Sequence, residues 1–172
     1  MIDVLIDAGA MPGENAHNAL VNGHLEAAEH LVKRGGELTL ATVLCLGRFE
    51  ELPRLAAPAT SEQRQFAFVL VALNGKPDGV AWMLRDGIAI NNPSADLYPH
   101  GTPLHHAVCS GSLETVKVLV EGGADLRRTD SAWKGTPLGW AQHYVDSAVP
   151  EMRDRYVAIA SDLSNQEGKT AG

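Results

Sequence analysis

The chain has 172 residues, enough for one domain, and 45% are hydrophobic while only 5% are aromatic, so aliphatic side chains and alanine must build its core. Fourteen basic against 21 acidic residues give a formal charge of −7, which argues against nucleic acid or an anionic membrane surface as a partner. No apolar run approaches the ~18 residues that cross a bilayer, and the chain does not open on a charged segment followed by an apolar one.

In chain order, the first readable element is Val4-Leu-Ile-Asp-Ala-Gly-Ala10, which parallels Val118-Leu-Val-Glu-Gly-Gly-Ala124. Residues 1–10 thus read as the outer helix of a half-unit, with Ile2, Leu5 and Ile6 expected to pack on Ala28, Leu31 and Val32. Its end carries no polar capping face, so it is expected to be the cut edge of a longer protein or a surface for self-association. A helix over 16–22 follows, then Gly23-His-Leu-Glu-Ala-Ala-Glu-His-Leu-Val-Lys-Arg-Gly35. The helix expected over 38–46 leads into a degenerate copy of that segment, in which Phe49, Leu52 and Leu55 keep the apolar slots but Ala59 replaces the closing glycine. A third helix over 62–73, with Thr60 or Ser61 as its cap, precedes Gly75–Gly87, where Pro77 can start the outer helix. A fourth, over 103–110, precedes Gly111-Ser-Leu-Glu-Thr-Val-Lys-Val-Leu-Val-Glu-Gly-Gly123, in register with 23–35. The last unit has no glycine turn. Its second helix is expected from near Pro150 through Tyr156, Ile159 and Leu163, and the polar segment 164–172 reads as a flexible tail.

Each twelve-residue glycine interval has the same physical content. The first glycine suits the left-handed position that ends a helix. A helix with apolar residues at i, i+3 and i+7, such as Leu113, Val116 and Val120, follows it. The chain is therefore a series of antiparallel helix pairs. Two heptapeptides 34 residues apart, Gly101-Thr-Pro-Leu-His-His-Ala107 and Gly135-Thr-Pro-Leu-Gly-Trp-Ala141, mark the repeat most clearly. In each, threonine is a natural N-cap and proline fits the first helical position, where its missing N–H costs nothing.

Thr102-Pro-Leu-His-His-Ala107 resembles the ankyrin signature T-P-L-H-x-A, and Gly122-Gly-Ala-Asp-Leu126 resembles that family's approach to its hairpin. The resemblance is strongest over 98–141 and weakest over 39–60. It implies an all-α ankyrin-type solenoid of about five units, spanning 1–163. The opening glycines 23, 47, 75 and 111 are 24, 28 and 36 residues apart, whereas a unit with a finger needs ~33. The β-hairpin fingers implied by the resemblance therefore fit only at 88–101 and 124–135, in the C-terminal half.

Few residues point to chemistry. His100, His105, His106 and Cys109 lie within ten residues, but adjacent helical histidines diverge by about 100°, and His105 with Cys109 supplies only two ligands, so no metal is expected. The resemblance gives His105 a structural role, bonding neighbouring backbone and tying units together; His24 falls in a turn where the family commonly has histidine. Ser110-Gly-Ser112 ends a helix and is no nucleophile elbow, no glycine-rich phosphate cradle is present, and Asp125, Asp130 and Asp146 lack close partner carboxylates. No cofactor is expected. Cys45 and Cys109 read as reduced, buried thiols of a cytoplasmic protein.

The resemblance implies a non-enzymatic module that binds a protein partner through the concave surface of fingers and inner helices. The positions that follow this pattern are Tyr98, His100, Cys109, Ser110, Arg127, Arg128, Asp130, Trp133, Lys134, His143 and Tyr144. Arg127, Arg128 and Lys134 form a local basic patch, read either as solvated charge or as a docking point for an acidic segment. Trp133 has two readings: an exposed anchor, or a ring folded back on Tyr98 or Pro99. Trp140 reads as core or inner-face packing, and Trp82 as core or convex surface. A groove lined by His100, His106 and His143 would favour an enzyme if deep, and recognition if open; a structural segment of a larger assembly is a third possibility.

Overall fold

The computed structural model describes residues 15–170, which form ten α-helices and one 3-10 turn, Phe49–Glu51. The α-helices are α1 (Asn15–Val21), α2 (Leu25–Lys33), α3 (Leu40–Leu46), α4 (Leu52–Ala56), α5 (Ser61–Leu73), α6 (Pro77–Arg85), α7 (Pro103–Cys109), α8 (Leu113–Glu121), α9 (Pro137–Ser147) and α10 (Pro150–Thr170). Odd-numbered helices stack as an inner layer and even-numbered ones pair with them outside, giving five helix pairs among the described residues. The half-unit expected at 1–10 lies outside those residues.

Local signals set the helix ends. Thr60 caps α5, accepting from Gln63 N at 3.2 Å, while Gln63 Oε1 accepts from Thr60 N at 2.9 Å. Thr136 caps α9 in the same way through Gly139 N, with Pro137 in the first turn. Gly23, Gly47, Gly75 and Gly111 all have left-handed φ. At Gly75 any side chain would also meet Ser112 Cβ at 2.9 Å, so the turn is closed to other residues on two counts.

The core is aliphatic, as the low aromatic content requires; Phe68 is the largest fully buried side chain in it. The missing fingers of the N-terminal half have a packing consequence. Leu40, Ala41, Thr42, Val43, Leu44 and Cys45 are all buried, so α3 shows no face to solvent before its last residue, the half-buried Leu46. The short connections let α1 reach α5 directly, and Asn74 Nδ2 donates to Leu20 O at 3.0 Å across that contact. Thr42 is satisfied locally: its hydroxyl accepts from Thr39 N at 2.7 Å and donates to Thr39 O at 2.9 Å. Burial pushes the Cys45 thiol up to about 12, which leaves it protonated and unreactive.

Among the described residues, long connections occur only at 86–102 and 122–136. They are loops and not β-hairpins: no β-strand is present among the described residues. The backbone N–H groups that would build a ladder find side-chain acceptors instead. Asp125 N donates to Asn91 Oδ1 at 2.9 Å, and Ala132, Trp133 and Gly135 donate to the Asp130 carboxylate. One backbone bond closes the second finger on itself, Asp130 N to Gly135 O at 2.9 Å, and one ties it to the first, Ser131 N to His100 O at 2.8 Å.

In the last unit Ala148 takes an extended conformation where other units have glycine, and Pro150 starts α10. Tyr156, Ile159 and Leu163 form its buried stripe. The segment from Ser164, read as a tail, continues the helix to Thr170.

Candidate functional site

The two histidines of α7 do different work. Nδ1 of the buried His105 accepts from Thr102 N at 3.2 Å and lies 2.8 Å from Thr102 Oγ1. Nδ1 is therefore the unprotonated nitrogen, and Nε2–H donates to Gly135 O at 3.1 Å, joining α7 to the foot of the second finger. Burial lowers its pKa, so the neutral form that makes both bonds is the stable one. The equally buried His106 is turned to the concave side. Burial first, then the neighbouring His100, bring its pKa down to about 4. Its Nε2 has no hydrogen-bond partner in the protein.

Asp130 organises the second finger. Its Oδ1 accepts from Ala132 N at 2.8 Å and Trp133 N at 2.6 Å; its Oδ2 accepts from Gly135 N at 2.8 Å and Trp140 Nε1 at 3.0 Å. Burial alone would raise this carboxyl, but the four N–H donors outweigh it and hold the pKa at about 2. A sharp turn results, with Lys134 in the left-handed region at φ 59°. Tyr98, on the first finger, is there too at φ 45°. Left-handed geometry costs a non-glycine residue roughly 1–2 kcal/mol, so both fingers hold strain beside the concave face.

The turn sets Trp133 out with 70% of its surface exposed. Its ring partner on the first finger is His100 rather than Tyr98. Its ring meets His100 edge-on at 5.0 Å and Trp140 at 5.8 Å. His100 is the middle of this cluster, with Trp140 stacked at 5.8 Å and Tyr98 and His106 edge-on at 6.3 and 6.0 Å. Farther along the face, Tyr144 OH donates to Cys109 Sγ at 3.2 Å, and Tyr156 OH donates to Cys109 O at 3.1 Å. Burial and that thiol raise the pKa of Tyr144.

These side chains line a groove of about 880 Å³ across the inner helices, from Val21, Asn22 and Gly23 at the end of α1, past Leu73 of α5, to α7 and α9. Six of the positions expected from sequence meet in it: Tyr98, His100, Cys109, Trp133, His143 and Tyr144. Arg127, Arg128 and Lys134 are exposed on the second finger outside the lining. One expected position is corrected. Asp130 is 1% exposed with both oxygens engaged, so it shapes the finger and presents nothing to a partner. Ser110 serves its own turn, donating to Ala107 O at 2.6 Å and accepting from Ser112 N at 3.1 Å.

Sequence reasoning took Trp140 as core or inner-face packing and named His106 only as lining for a deep pocket, leaving both out of the partner surface. The signal was present: His106 with Cys109, and Trp140 with His143 and Tyr144, are i, i+3 and i+4 sets on one helical face. No lining residue is Asp, Glu, Lys or Arg. Among the described residues no group of three or more His, Cys, Asp or Glu is placed to hold a metal ion.

Comparison with known proteins places this arrangement. The family described as ankyrin repeats (3 copies) matches residues 16–130 and 68–148. The chain is 33% identical over 79 residues to human protein phosphatase 1 regulatory subunit 27, covering 43% of this chain and 47% of that one. It is 36% identical over 94 residues to mouse diacylglycerol kinase iota, covering 53% of this chain and 9% of the relative. The matched region thus spans less than half the length of either relative.

Proposed function

Since the chain belongs to the ankyrin repeat family, whose repeats serve protein–protein interaction, we propose that it is a non-enzymatic module that binds a partner protein through the concave groove and its two fingers. The observation that carries this reading is Trp133, 70% exposed on a turn fixed by four hydrogen bonds to Asp130. A large aromatic ring held rigidly at the mouth of an uncharged aromatic groove is the arrangement of an interface anchor, because little ordering entropy is lost when it is covered. Tyr98, His100, Cys109, His143 and Tyr144 supply the surrounding contact surface. The human relative is by its name a regulatory subunit of a phosphatase, which supports a regulatory rather than a catalytic role. Two free cysteines fit a reducing, cytoplasmic setting.

The three groove histidines support a second reading, acid–base chemistry on a small molecule. It has less behind it: the lining offers no carboxylate to orient a base, and His106 is held neutral well below pH 7. Affinity capture with the whole chain as bait, repeated with Trp133→Ala, separates the readings. Recognition predicts that a captured partner binds the variant about 2 kcal/mol more weakly with the melting temperature nearly unchanged. Equal affinity for both chains would remove Trp133 from the interface.

A further inference from the structure

The second finger differs electrically from the rest of the molecule. The chain carries −7 overall, yet Arg127, Arg128 and Lys134 fall within eight residues of one another, and Lys134 adjoins Trp133. All three are exposed, and none has an ion-pair partner among the described residues. The acids of the same segment do not cancel them. Asp130 is buried and committed to four N–H donors. Asp125 is exposed but accepts from Arg127 N at 2.9 Å, a backbone contact that leaves the guanidinium free. Elsewhere some exposed cations are paired, Lys33 with Glu29, Arg54 with Glu51 and Arg64 with Asp86, while the finger sets three cations within eight residues around Trp133.

Resting on the reading of the groove as a protein-binding surface, we propose that this finger selects an acidic segment of the partner, whose carboxylates meet Arg127, Arg128 and Lys134 while an adjoining apolar side chain covers Trp133. Charge complementarity carries the choice of occupant. An acidic protein repels acidic segments over most of its surface, so a segment of that charge is drawn to the one finger where three unpaired cations stand together, and the rest of the surface opposes misplaced binding. A basic segment would be attracted generally and repelled from the Trp133 turn. The finger's rigidity matters as well: the Asp130 turn fixes the position of Trp133 relative to the adjacent Lys134, so an acidic-apolar spacing can be matched without reordering the loop.

The test uses the whole chain with two fluorescein-labelled twelve-residue peptides, one alternating glutamate and serine around a single leucine, the other with lysine replacing each glutamate. A labelled single-stranded RNA twelve-mer is the third probe. Anisotropy reports binding, and tryptophan emission reports covering of Trp133. The expected result is binding of the acidic peptide with a blue shift in emission, weakening about tenfold or more between low and physiological salt, and lost about tenfold or more in Arg127→Glu/Arg128→Glu. The variant should keep the wild-type melting temperature, since both side chains are exposed and unpaired. The basic peptide binding as well or better in a Trp133-dependent way would overturn the acidic partner while leaving the groove a protein-binding site. Tighter binding of RNA than of the acidic peptide, or no binding of the acidic peptide, would overturn the proposal, and the capture experiment would still judge the protein-binding reading by itself.

Discussion

The N-terminal and C-terminal halves of the solenoid are built from the same helix pair and differ in what joins the pairs. Before α5 the connections are short, α1 closes onto α5, and α3 is buried on every side up to its last residue. After α6 the connections lengthen into fingers, and the inner helices they flank keep an open face lined by His106, Cys109, Trp140, His143 and Tyr144. Thr42 is content with its own cap, and Cys45 is an inert thiol. By contrast the C-terminal half holds two left-handed non-glycine residues, a histidine with an unpartnered nitrogen and an exposed tryptophan. One half is closed by packing; the other holds backbone strain and an exposed aromatic ring beside an open groove. Such local departures concentrate at functional sites because surrounding structure must hold them in place.

The comparison can be broken by substitutions on either side. The largest expected effect is in the packed half: Phe68→Ala should cost about 4 kcal/mol in urea unfolding, through lost burial and the cavity left behind. A loss below about 1 kcal/mol would mean the packed half is looser than described.

Acid should act on the other half. The pKa of His106 falls from 6.5 unfolded to about 4 folded, and that of His105 is lowered too. Below 6.5 the unfolded chain binds more protons than the folded one, so stability is complete above pH 6.5 and is lost as pH falls toward 4, by roughly 3 kcal/mol from His106. Asp130, held at about 2, adds a further loss only between about pH 4 and 2. A urea midpoint that stays flat from pH 7 to 4.5 would contradict the assignment; His106→Phe should reduce the slope and leave the part due to His105.

His105→Ala comes next, at about 2 kcal/mol, because it strands Thr102 N and Gly135 O. Zinc should leave the melting temperature of the wild type unchanged, and a zinc-dependent rise would point to a metal site. Smallest is Trp133→Ala, expected within about 0.5 kcal/mol of wild type, since the ring is mostly in water already. A large loss there would make the ring a packing element of the aromatic cluster.

Much of this contrast was legible in the chain. The glycine interval and the Thr-Pro caps placed the helix pairs, and the spacings of 24 and 28 residues left no room for fingers before Gly75. The burial of α3 was not legible, because it depends on how closely α1 approaches α5, a tertiary distance with no local signature. Asp130 was misread as surface for a related reason. Its offsets to Ala132 and Trp133 are those of a side chain bonding its own backbone, but the indole of Trp140 arrives from the next helix. Adjacent histidines were correctly seen to diverge, yet which one faces the groove is fixed by the reach of His105 to Gly135, thirty residues on.

The central claim is that the fingered half recognises and the packed half supports. Hydrogen exchange of the whole chain, measured by mass spectrometry with and without a captured partner, tests it most directly. Protection should appear over 98–110 and 130–144 and leave α3 and α4 unchanged. Protection centred on 40–56, with the fingers exchanging as in the free chain, would contradict it.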